Sequence, residues 1–204
     1  MTQLAKVISV VFHPLLMTTY LFIVLALFFP AIFQPIHPSP WFIFLIFLMT
    51  FLLPSMNFIF FRVTGTIKDL HMFTRTERIL PFAFVTILYC VVTFMFYWKF
   101  PVPNVLKLMM IITAMVIASA IVTLFYKISV HSVAVCGIIG ILLPLNNASE
   151  QGLLLYPTVA TLVLAGLVMS SRLQLNAHVP REVLTGALMG FVIGFGGMMI
   201  LFRL

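Results

Sequence analysis

Charge is what this chain has least of. Four carboxylates and eleven lysines and arginines serve 204 residues, so charged side chains make up only 7% of the sequence. That scarcity excludes a soluble domain. Period-two alternation is lacking as well: the apolar residues come in long uninterrupted runs, which excludes a membrane β-barrel. Linkers, low-complexity tracts and internal repeats are missing, so residues 1–204 read as one domain. The two cysteines, Cys90 and Cys136, both fall inside apolar runs and read as buried thiols rather than a disulfide framework.

What remains is hydrocarbon. Apolar residues make up 63% of the chain, and mean hydropathy is +1.24. Seven apolar segments stand out: Val7–Phe33, Trp41–Phe61, Ile79–Trp98, Val105–Tyr126, Ser132–Leu145, Leu153–Met169 and Val183–Leu201. The fold class they predict is an all-α polytopic transmembrane bundle of about six to seven spans. Pro14, Pro54 and Pro144 lie in or at the ends of these segments, where a membrane helix accommodates them as kinks. The first segment is too long, and too closely followed by others, to be a cleaved signal peptide.

Alternating the spans sorts the charges. Lys6, Arg62, Lys68, Arg75, Arg78, Lys127, Arg172 and Arg181 fall on one face, with Asp69, Glu77 and Glu182. His71, His131 and His178 join them, whereas Lys99, Lys107 and Arg203 fall on the other face. Ionisable groups are costly at a bilayer, and a cluster of them is by default a functional site. Three stretches build this one: Lys68 to Pro81, Lys127 to Ser132, and Ser171 to Gly186. Guanidinium forks and lysines suit phosphate oxygens. Two histidines add chemistry to binding, since one can attack while the other protonates a leaving oxygen. Pro180 suits the first turn of the last helix, which puts Glu182 in that turn and His178 just before it. His13 and His71 read as structural or peripheral. Gly186, Gly190, Gly194 and Gly197 read as a small-residue stripe for close helix packing.

The three stretches resemble the motifs of the type 2 phosphatidic acid phosphatase superfamily of integral membrane lipid phosphatases. The third motif, Ser-Arg-x5-His-x3-Asp, is matched by Ser171-Arg172, His178 and Glu182, with glutamate for aspartate. The second, Pro-Ser-Gly-His, survives as Ile128-Ser129-Val130-His131, and the first, Lys-x6-Arg-Pro, as Lys68 and Arg75 with Thr76 for proline. Arg78, followed by Pro81, is a rival placement for that arginine. The resemblance covers about the last two-thirds of the chain.

It implies a metal-independent hydrolase without a cofactor, acting on a lipid phosphate or diphosphate and not on nucleic acid. His178 would attack phosphorus, Glu182 would hold its imidazole, and His131 would protonate the departing oxygen. Lys68, Arg75, Arg78, Ser129 and Arg172 would bind the phosphoryl oxygens. Val130 in place of glycine narrows the backbone approach to phosphate. Two other readings stay open: a catalytically silent lipid-phosphate binder or small transporter that keeps the basic pocket, and another enzyme of the same superfamily. Counting every cation, the crowded face is cytoplasmic. Setting aside those that suit phosphate, Lys6, Arg62 and Arg181 balance Lys99, Lys107 and Arg203. Many bacterial relatives work on the outer face, so the resemblance implies a bacterial inner-membrane protein with an extracytoplasmic site.

Overall fold

The computed structural model describes residues 2–65, 76–149 and 152–203, with 76–78 as backbone alone. Among these residues there are helices and no strands. Helix α1 (Thr2–Val11) leads into α2 (Pro14–Phe28) across a 62° bend. Helices α3 (Pro40–Phe47) and α4 (Leu53–Val63) are joined by a π turn at Leu48–Leu52 and form one span. Then follow α5 (Thr76–Lys99), α6 (Pro103–Thr123), α7 (Val130–Ala148), α8 (Leu155–Gln174) and α9 (Pro180–Phe202). Six of these spans are long and apolar enough to cross a membrane, and the bent α1–α2 pair makes a seventh. The chain is therefore an all-α polytopic membrane bundle.

Two departures from the expected spans have causes in proline. The first apolar segment reads as one kinked helix but is broken outright at Phe12–His13, because Pro14 has no N–H to continue the ladder. In the second span, Pro54 has no N–H to offer the Thr50 carbonyl four residues earlier. The Tyr89 hydroxyl of α5 donates to that carbonyl instead, at 3.1 Å. Thr18 Oγ1 of α2 lies 3.3 Å from the same hydroxyl, so a buried polar knot ties α2, the π turn and α5 together.

Helix α7 is the central element, with twelve of its nineteen residues buried. Its closest neighbour is α9. A Cβ on Gly186, Gly190 or Gly194 of α9 would collide with the carbonyl oxygens of Ser129, Val133 and Gly137 of α7. A Cβ on Gly140 of α7 would collide with the α9 backbone at Phe191 and Phe195. The stripe read from the sequence thus lets two backbones touch. At the bundle end remote from His178, Phe42 meets Phe33, Phe96 and Phe100 edge-on with ring centroids about 6 Å apart, closing the core with aromatic rings.

Candidate active site

The start of α9 assembles the first half of the site. Pro180 occupies the first helical position, and Glu182 falls in the first turn, where a carboxylate favours the helix dipole. His178 precedes the helix with its ring buried, and its Nδ1–H donates to Glu182 Oε2 at 2.6 Å. A carboxylate can only accept, so Nδ1 carries a proton, and Nε2 is the ring nitrogen turned away from Glu182.

The second half comes from α7. His131 is the second residue of that helix and is 8% exposed. Its distance from α9 is set by the glycine contacts and by a cross-helix bond, in which the Ser129 N–H donates to the Glu182 carbonyl at 3.2 Å. Ser129 itself departs from expectation. Its side chain is fully buried, its Oγ accepts from Ser132 Oγ at 3.0 Å, and it is not part of the cavity wall. The reason is local: Gly186 packs on the Ser129 carbonyl, turning this residue into the α7–α9 joint.

Arg172, at the end of α8, reaches across to α1, where its Nη1 donates to Ser9 Oγ at 2.5 Å. Ser9 also meets His131: the ring Nε2 is 3.1 Å from the Ser9 carbonyl oxygen and 3.4 Å from its hydroxyl. His13, at the α1–α2 break, accepts from the Leu15 N–H and packs its ring edge-on against His131, with centroids 5.7 Å apart.

Arg172, His131 and His178 line one cavity of about 670 Å³, together with Ser9, His13 and Lys6. Below this polar end the wall turns apolar, through Leu21, Phe58, Val85, Met115 and Ile138, down to Tyr89. Val10 of α1 and Ile59 of α4 belong both to the wall and to the exposed surface of the described residues. Such a space suits a molecule with an anionic head and an apolar tail. Glu182 is absent from the wall and stands behind His178.

Of the expected site residues, Arg172, His131 and His178 share the cavity, Glu182 supports one of them, and Ser129 lies behind the wall. Lys68 and Arg75 lie outside the described residues, as does His71; Arg78 falls in α5, its side chain outside the description. Ser9 was missed, and His13, read from the sequence as structural or peripheral, lines the cavity. The signal for His13 was the Pro14 that follows it inside an apolar run, and Ser9 lies one helical turn before His13. Among the described residues no cluster of histidine, cysteine and carboxylates has the makings of a metal site.

Fold and cavity together define a polytopic helical membrane protein with a histidine–carboxylate pair at the polar end of a mostly apolar cavity. Comparison with known proteins returned no matching family model, no matching curated protein and no matching solved structure.

Proposed function

We propose that the protein is a membrane lipid phosphatase that cleaves a lipid phosphate or diphosphate through a phosphohistidine. The observation that carries this reading is the convergence of the His178–Glu182 pair, Arg172 and His131 on a cavity whose remaining depth is mostly apolar. His178 Nε2 forms a bond to phosphorus as the bond to the lipid oxygen breaks. His131 gives its proton to that oxygen, so the lipid leaves as an alcohol, or as a monophosphate from a diphosphate. Water then attacks phosphorus, His131 takes its proton, and phosphate departs from a regenerated His178. Glu182 fixes the tautomer of His178 and stabilises the positive charge that develops on its ring. Arg172 holds phosphoryl oxygens, with Lys68, Arg75 or Arg78 as the further cations of the cradle.

The exposed wall residues Val10 and Ile59 support entry between α1 and α4, which would draw a headgroup from the bilayer while its tail stays in apolar surroundings. A transporter would place its groups near the midplane; His131 and His178 instead sit at helix starts. We place the site on the extracytoplasmic face of a bacterial inner membrane, which an impermeant thiol reagent tests through a cysteine substituted for exposed Arg181. The function is tested by inorganic phosphate release from purified protein in detergent with a chelator present. Release that vanadate inhibits and His178→Ala abolishes is expected. Tight binding of lipid phosphate without release would favour the silent binder.

A further inference from the structure

The α1–α2 break does more than bend a helix. In an unbroken helix the His13 N–H would bond to the Ser9 carbonyl, and residue 14 would bond to Val10. Pro14 has no N–H. The His13 N–H turns to the Val10 carbonyl, at 3.3 Å, while Phe12 N–H keeps its bond to Ile8. No main-chain N–H among the described residues reaches the Ser9 carbonyl. A buried carbonyl must find a donor elsewhere, and it finds one 122 residues away: His131 Nε2, at 3.1 Å.

A carbonyl accepts and never donates, so this contact requires the proton on Nε2. The other ring nitrogen, Nδ1, is buried and has no partner among the described residues. An unsatisfied buried acceptor is costly, and a ligand hydroxyl that donates to it, such as that of a phosphate monoanion, removes the cost. We propose that the Ser9 carbonyl, released by Pro14, is a positioning group that fixes His131 with its proton on Nε2 and makes Nδ1 the nitrogen facing the leaving oxygen. The two histidines are then mirror cases. Glu182 holds His178 by Nδ1, so that attack falls to Nε2; Ser9 holds His131 by Nε2, and its bare Nδ1 takes a proton from the entering phosphate monoanion, passes it to the leaving oxygen and takes one back from the attacking water. The role given to Nδ1 rests on the phosphatase reading, whereas the tautomer does not. The Ser9 hydroxyl, which accepts from Arg172, ties the guanidinium to the same point of α1. Helix α1 thereby becomes part of the site.

The test has one arm that needs no activity. Nitrogen-15 NMR of histidine-labelled protein in detergent, with the His131 signals identified by their loss in His131→Asn, reads the tautomer directly. Protonated Nε2 and bare Nδ1 are expected; a ring protonated on Nδ1 overturns the proposal, whether or not the protein releases phosphate. In the second arm, Pro14→Ala restores an N–H for Val10 and lets His13 return to the Ser9 carbonyl. The Nε2–H form should lose its dominance, and kcat should fall about tenfold with KM little changed, the worth of one orienting hydrogen bond. Unchanged tautomer and unchanged kcat in that variant also overturn the proposal. A parent with the expected tautomer but no phosphate release upholds the Ser9 contact and defeats the phosphatase reading instead.

Discussion

Replacing Gly190 with alanine adds one methyl group where the structure leaves no room for it. The new Cβ would press on the Val133 carbonyl, which is main chain of α7 and cannot rotate aside as a side chain could. Gly186 and Gly194 make equivalent contacts with Ser129 and Gly137, so relief at one point requires the two helices to part along their length. Overpacking of this kind costs about 1–3 kcal/mol, against which alanine recovers up to about 1 kcal/mol of helix propensity. A net loss of about 1–2 kcal/mol is expected. Gly166 of α8 supplies the control, since a Cβ there meets nothing within 4 Å. Gly166→Ala should gain about 0.5–1 kcal/mol from propensity alone. The two substitutions are chemically identical and should move stability in opposite directions, separating their midpoints by roughly 5 °C for a chain of this size. Thermal unfolding in one detergent, followed by circular dichroism, measures both. Equal shifts of the same sign would refute the close α7–α9 contact. Since that contact also spaces His131 from His178, Gly190→Ala should lower activity below the melting transition as well.

Three more outcomes follow from the site. Glu182→Gln keeps size and removes charge, and should cost on the order of a hundredfold in kcat with little change in KM; Glu182→Asp should retain measurable turnover. If both match the parent in rate while melting earlier, Glu182 serves only to cap α9. His131→Ala should slow turnover most for substrates with poor leaving groups, because proton donation matters most there, and equal slowing across a leaving-group series would contradict its role as acid. Val116→Trp places an indole in the apolar wall; it should raise KM for long-tailed lipid phosphates and leave short soluble esters unaffected, and a uniform effect would argue against tail occupancy.

The spans were legible because bilayer chemistry writes itself into long apolar runs, and strict alternation then put Lys6, Arg172 and His178 on one face without any structural knowledge. The spacing of Arg172, His178 and Glu182 was legible for a related reason: a four-residue gap across a helix start brings an imidazole and a carboxylate together whatever the rest of the fold. Ser9 escaped notice because its importance lies in its carbonyl, and main-chain groups leave no letter in a sequence. Pro14 was the visible trace, but a proline in a membrane helix reads as a tolerated kink until the displaced hydrogen bond is followed to its new donor. Ser129 looked like a phosphate ligand by position. In the structure its side chain is buried behind the cavity wall, where Gly186 packs on its carbonyl.

The central claim is that His178 attacks phosphorus, and trapping the intermediate tests it most directly. His131→Ala should slow water attack on the phosphoenzyme more than it slows transfer from a substrate with a good leaving group. Rapid alkaline quenching of that variant after mixing with such a lipid phosphate, followed by peptide mass analysis, should show one added phosphoryl group on the peptide bearing His178. The adduct should be lost on acid treatment and absent from the His131→Ala, His178→Ala double variant. Phosphate release by the parent with no such adduct, or an adduct that survives replacement of His178, would contradict the account.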